Sequence, residues 1–287
     1  ASGTSGHDVE LGSYMPLDRL GAVVVKSLFH EPWEGNPAPR VHLAQGGMIN
    51  AVGLQGPGVV AWLHESLPVL EAANVTTVAS IWGRTLHEYV LAANQLRAAG
   101  QSISAIEVNL SCPNLEGRSG IIAHDPSLAG RIISAVCSES IVPVWAKLSA
   151  NTDRVVEIST TVRDAGASAI TLINTMLGMQ INTSSGRPSL GNGGGGLSGP
   201  AIRPIAVRAV HDVKAALPDV DIIGVGGIAS GNDAIEMMMA GARAVQIGTA
   251  SFASPSAVWD IALAASARMK ELGYASWDDV VGCVHRL

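Results

Sequence analysis

Charge is scarce in this 287-residue chain, and basic charge is scarcer: 15% of residues are charged, with 18 Lys and Arg against 24 Asp and Glu. The net charge of −6 and the want of any Lys/Arg cluster argue against a nucleic-acid surface, which needs grouped positive charge to track a phosphate backbone. No stretch reaches the ~18–20 uninterrupted apolar residues of a membrane span, although the mean hydropathy of +0.30 is high. Cysteine is rare. Cys112, Cys137 and Cys283 are odd in number and lack CxxC or His/Cys spacing, which opposes a disulfide framework and a structural zinc. A reducing, cytoplasmic setting is the expectation. No His/Asp/Glu cluster with ligand spacing occurs, so no metal is expected, and there is no GxSxG elbow. No repeat or linker divides the chain, so one domain over 1–287 is expected.

What the chain does have is apolar side chains (47%) and 32 glycines. β-Branched runs at 22–27, 75–80, 104–111, 142–149, 168–174, 220–227 and 242–249 predict strands. Helix-period segments at 84–100, 127–138, 155–166, 201–217, 231–241 and 254–273 alternate with them, the last with Ser254 as its cap and Pro255 in its first turn. Strict alternation implies a parallel sheet buried on both faces. An open doubly wound sheet would carry its phosphate-binding glycines after the first strand. Here they come after 220, which favours a closed (β/α)8 TIM barrel. Only seven good strands are present, and the opening ASGTSG reads as a strand-to-helix loop, so the first barrel strand is expected upstream of Ala1. Two long Pro/Gly-rich segments, 30–58 and 174–200, follow strands and belong on the C-terminal rim, where barrel active sites sit.

Three sets of residues point to that rim. Gly226–Gly227 and Gly248–Thr249 stand at the tips of the last two strands, where bare backbone N–H groups and a helix N-terminus suit a phosphate. The bland alternative is that they only permit tight turns, and the phosphate could belong to substrate or cofactor. Lys26 and Lys147 close apolar strands, and a lysine there serves an anion unless it merely snorkels to the rim. Asn50, Asn109, Asn114 and Asn174 lie at strand ends or in rim loops, with donors and acceptors for a planar polar ring. Cys112, in VNLSCPN, is the lone candidate for proton transfer among them; nearby lysines would favour its thiolate. Cys137, Cys283, Trp277 and His285 read as packing residues.

Taken in order, ASGT, VVVKS, GNPAPR, GGMINAVGL, NLSCPN, WAKLSAN, INTMLGM, GGLSGPAIRP, GVGGIASGNDA and AVQIGTA resemble the class 1 dihydroorotate dehydrogenases, and among these the type B catalytic subunits. The resemblance runs from Ala1 to at least Ala250. It implies a TIM barrel with FMN at the C-terminal face of the strands. The implied reaction is oxidation of dihydroorotate to orotate in pyrimidine biosynthesis. Cys112 would be the base taking the C5 proton while hydride leaves C6 for N5 of the flavin. By the same resemblance Lys26, Asn50, Ala51, Val52, Gly53, Leu54, Asn109, Asn114, Asn174 and Thr175 bind substrate. Ser2, Gly3, Lys26, Ser27, Asn109, Lys147, Gly199, Gly226, Gly227, Gly248 and Thr249 bind FMN, Lys147 near N1/O2 of the ring. The stretch 113–124 would form a lid. The implied partners are a second copy of the chain and a subunit carrying FAD and an iron–sulfur cluster that passes electrons to NAD; fumarate is the less expected acceptor. Two departures stand out. Gly56 replaces the usual asparagine after GLQ, and 183–196 is richer in glycine than the family pattern. The alternative reading is an FMN-dependent enzyme of another dihydropyrimidine. A degenerate, non-enzymatic barrel is disfavoured because every required pocket residue is present.

Overall fold

Short β-branched runs bounded by glycine, proline and helix caps set the architecture, and the computed structural model describes it for residues 1–111 and 122–286. In chain order the elements are β1 (Val23–Val24), β2 (Val41–Ala44), β3 (Gly47–Asn50), α1 (Val59–Glu65), α2 (Leu67–Ala72), β4 (Thr77–Ile81), α3 (Leu86–Leu96) and β5 (Ala105–Asn109). There follow α4 (Pro126–Glu139), β6 (Val144–Leu148), α5 (Val155–Asp164), β7 (Ala169–Leu172), β8 (Met176–Gly178), β9 (Ile181–Asn182), β10 (Arg187–Pro188) and β11 (Gly195–Ser198). The chain ends with α6 (Arg203–Ala216), β12 (Ile222–Val225), α7 (Gly231–Met239), β13 (Ala244–Gln246), α8 (Ala250–Ala253), α9 (Ala257–Glu271) and α10 (Trp277–Val280).

Seven strands pair in parallel in the order β1-β4-β5-β6-β7-β12-β13, a curled half-barrel compatible with a TIM-barrel-like fold. All seven fall inside the runs expected from sequence except that β4 extends one residue further, to Ile81. Helices start where their caps demand. Thr85 and Glu88 form a reciprocal capping box on α3, Asp125 accepts from Leu128 N–H at α4, and Ser230 accepts from Asp233 N–H at α7. One start differs from expectation. Ser254 N–H closes the turn of α8 on Ala250 O, so α9 begins at Ala257 instead of after a Ser254 cap.

The main apolar core lies between the sheet and its helices, with Trp62, Tyr89, Leu28 and Ile106 fully enclosed. A smaller cluster of Val24, Val78 and Ala105, flanked by Ala22 and Trp145, fills the concave face. Register explains what stands above it. Val24 pairs with Val78 and Val78 with Ala105, so the residues two further along, Ser80 and Glu107, face the same way. By the same alternation Asn109, Lys147 and Thr171 share that face, since Asn109 pairs with Lys147 and Lys147 with Thr171. The concave side is thus apolar at its base and polar toward the strand C-termini.

The two rim segments carry structure that sequence did not suggest. β2, β3, β11 and β8 form an antiparallel sheet in that order, and β9 and β10 pair as a hairpin. Gly195 and Gly196 are a packing requirement here: a Cβ on Gly196 would fall on Thr175 Oγ1, and one on Gly195 on Asn50 O. Among the described residues no helix is long and apolar enough to cross a membrane.

Gly196→Val is expected to lower the urea unfolding midpoint by an amount equivalent to about 1–3 kcal/mol, because Thr175 must be displaced. Gly21→Ala, where a Cβ meets nothing within 4 Å, should leave that midpoint within about 0.5 kcal/mol of the parent.

Candidate active site

The floor of the site is a set of buried polar groups at the strand ends. Glu107 on β5 is fully buried; its Oε2 accepts from Thr171 Oγ1 at 3.0 Å and Gln246 Nε2 at 2.8 Å. Its Oε1 stands 3.7 Å from Lys147 Nζ, which also donates to Ser2 Oγ at 3.3 Å. Lys147 is itself 5% exposed, so the ammonium is held by protein groups and not by water. Lys26 sits just beyond β1. Its pKa is pulled down first by burial, then by repulsion from Lys147 and Arg40. No carboxylate among the described residues pairs with Lys26. Half-buried and without such a partner, this ammonium could take an anion from outside the protein.

Beside the lysines stand two of the expected asparagines. Asn174 Nδ2 donates to Asn109 Oδ1 at 3.2 Å, and Asn174 Oδ1 accepts from Thr175 N–H at 2.9 Å. Tyr89, from α3, donates its hydroxyl to Asn109 O at 2.7 Å and so anchors the end of β5. Asn50 reaches across the rim sheet to Gly196 O at 3.3 Å. In the loop after it, 51–56, two residues have positive φ: Gly53 (+76), where glycine fits without cost, and Leu54 (+59), which is strained. Several bonds hold the loop there. Asn36 donates its amide to Ala51 O and its N–H to Val52 O, and Trp33 Nε1 donates to Gly53 O at 3.0 Å. Leu54 packs against Phe29, Trp82 and Trp33. Gly56 has a local reason too: a Cβ there would meet His7 Nε2 at 3.2 Å. That buried ring nitrogen has no protein partner, and burial holds the His7 pKa below its ordinary value.

The glycine end converges from three chain segments. A Cβ on Gly226 would crowd Ala206 at 2.9 Å, and one on Gly227 would crowd Arg203 N at 2.7 Å, so both glycines lie against the start of α6. Gly199 (φ +101) precedes that helix and lies near Thr249, whose hydroxyl donates to Ser198 Oγ at 2.8 Å. The start of α6, from the preceding βα unit, lies against these glycines as well. Among the described residues the N–H groups of Gly226, Gly227, Gly248 and Thr249 find no backbone acceptor. Unpaired donors at a helix N-terminus suit a phosphate.

Other expected residues have mixed standing. Ser2 and Lys147 meet, and Gly3 has open space where a Cβ would be. The Ser27 hydroxyl is already bonded to Ser80 Oγ at 2.8 Å. Cys112 and Asn114 lie outside the described residues, as does 113–121 of the expected lid; Ile122 and Ala123, its last part, are buried in the core. Cys137 packs against the core, and His285 bonds Ala240 O, but Trp277 is partly exposed at 36%. Sequence reasoning missed Glu107, Gln246, Trp33, Ser198 and Asn151. Asn151 donates to Thr175 O and accepts from Leu177 N–H, fixing the turn beside Asn174. Its presence in WAKLSAN, two residues past a strand end, was the available signal.

The residues fit FMN: unpaired N–H donors for a phosphate at one end, and Lys147, Ser2 and the open Gly3 for a flat polar ring at the other. Comparison with known proteins identifies the family. Residues 1–269 match the family model described as dihydroorotate dehydrogenase. The chain is 42% identical over 284 residues to the protein named dihydroorotate dehydrogenase B (NAD(+)), catalytic subunit, of Geotalea uraniireducens, covering 99% of this chain and 92% of that one. It is 43% identical to the protein of the same name from Pelobacter propionicus, over 99% and 93%. With that of Bacillus pumilus it shares 40% over 98% and 90%.

Trp33→Phe removes the bond to Gly53 O and part of the indole's contact with Trp82 and Arg84. Amide exchange over 51–56 is expected to speed up about tenfold, the equivalent of one lost hydrogen bond, while exchange over 222–228 stays unchanged.

Proposed function

The chain belongs to the dihydroorotate dehydrogenase family, and on that premise we propose how its rim residues divide the work. It is an oxidoreductase of pyrimidine biosynthesis that oxidises dihydroorotate to orotate. When bound, FMN supplies the acceptor for the two electrons that leave the substrate. The frame is a (β/α)8 barrel in which Gly199, Gly226, Gly227, Gly248 and Thr249 hold the FMN phosphate. Ser2, Gly3 and Lys147 lie against its ring.

The observation that carries the substrate assignment is Lys26, a half-buried cation in repulsive range of Lys147 that no carboxylate among the described residues pairs with, together with the bonded amides of Asn109 and Asn174. Lys26 pairs with the carboxylate of dihydroorotate. Asn50, Asn109, Asn114, Asn174 and Thr175 meet the ring amides, and the 51–54 backbone, clamped by Trp33 and Asn36, closes the edge of the pocket. Cys112 follows directly on Ser111, whose N–H is bonded to Asn109 Oδ1 at 3.2 Å. On this reading Cys112 is the base: its thiolate, favoured by the two lysines, takes the C5 proton. The stretch 113–124 is the lid that closes over substrate and excludes water. The type B name of the relatives supports delivery of electrons to NAD through a second polypeptide carrying FAD and an iron–sulfur cluster. The exposed apolar side chains of the rim, Leu43, Leu177 and Ile181, suit a protein partner, including a second copy of this chain. The setting is cytoplasmic. The second reading, oxidation of a dihydropyrimidine without a carboxylate, is favoured only by the change at Gly56 and leaves Lys26 without a partner.

Cys112→Ser is expected to slow dihydroorotate oxidation about 10²–10⁴-fold at neutral pH while FMN content stays at the parent level. An unchanged rate removes Cys112 from the role of base. The purified chain should be yellow, and without air its flavin absorbance should bleach on adding dihydroorotate but not dihydrouracil or dihydrothymine. Equal bleaching by all three would favour the second reading.

A further inference from the structure

Glu107 is a carboxylate with no access to solvent, placed on the concave face one residue pair below Lys147. Thr171 and Gln246 both donate to its Oε2, which fixes the plane of the carboxylate and leaves Oε1 as the oxygen that faces the lysine, 3.7 Å away. Among the described residues Oε1 has no hydrogen-bond donor of its own. The arrangement is costly as a structural device, since burying an ion pair gains little net stability over apolar packing of the same volume. It also answers an electrostatic problem. The buried Lys147 lies within repulsive range of Lys26, and Glu107 is the carboxylate beside Lys147.

We propose that Glu107 is a positioning residue that orients the Lys147 ammonium under the flavin and offsets part of its charge, thereby setting how readily the flavin accepts electrons. This rests on the FMN reading given above. A bare ammonium beneath the ring would over-stabilise the anionic reduced flavin and hinder its reoxidation. A lysine tethered to a fixed carboxylate presents a smaller, oriented field.

The test is the midpoint potential of FMN in the full chain at pH 6, measured against reference dyes. Glu107→Gln keeps the shape and removes the charge; the potential is expected to become more positive by about 30 mV, a tenfold shift of the two-electron equilibrium. Glu107→Asp, which keeps the charge but withdraws it from Lys147, should fall between parent and Glu107→Gln, and gives a reading even if the first variant folds poorly. On a Lys147→Met background the effect of Glu107→Gln should shrink to less than a third. An unaltered potential in both Glu107 variants overturns the proposal. So does a shift of the same size with and without Lys147. A parent chain that holds no FMN overturns the flavin reading and this inference together, whereas the variant results bear on the inference alone.

Discussion

The cost of burying charge on the concave face of a curled parallel sheet organises this molecule. Ionised groups leave water only if other groups replace it, so the concave face divides into an apolar base of Val24, Val78 and Ala105 and a polar layer above it. In that layer each charge has a fixed neighbour: Thr171 and Gln246 serve Glu107, and Glu107 and Ser2 serve Lys147. Lys26 is the exception. It is half-buried and repelled by a second lysine, and no carboxylate among the described residues pairs with it.

Around that floor the rim is built by close approach of backbone to backbone. β11 packs so tightly against β3 and the 174–176 turn that Gly195 and Gly196 have no room for side chains. The same tightness brings Asn50, Asn109, Asn174 and Thr175 toward one another from three separate segments. Trp33 spends its indole N–H on Gly53 O, and Arg84 lies over the rings of Phe29 and Trp33, so an aromatic cluster outside the pocket holds the 51–54 backbone inside it. At the opposite edge the start of α6, Gly226–Gly227 and Thr249 converge, which assembles unpaired N–H groups from two βα units.

The parallel strands were legible because a strand buried on both faces must be a run of β-branched and aliphatic residues, and Val144–Leu148 and Ile222–Val225 are such runs. The rim sheet was not. Gly195–Ser198 and Arg187–Pro188 lack the alternation that marks a half-buried strand, and their pairing is set by neighbours far away in sequence. Lys26, Lys147 and the asparagines could be picked out because polar residues closing apolar runs are conspicuous. Glu107 sits in the middle of SAIEVNL, where a charged residue reads as facing solvent, and only the curl of the sheet turns it inward.

By itself the sequence determined the alternating order of strands and helices, the parallel sheet, and the identity of the groups available at the strand ends. Those are local matters, settled by side-chain shape, period and chain direction. Which of those groups meet was decided by the tertiary structure: Lys147 with Glu107 and Ser2, Asn109 with Asn174, and the glycines with a helix from another unit. The reason is that register between strands and the close approach of glycine backbones depend on partners tens of residues away, about which local pattern carries no information.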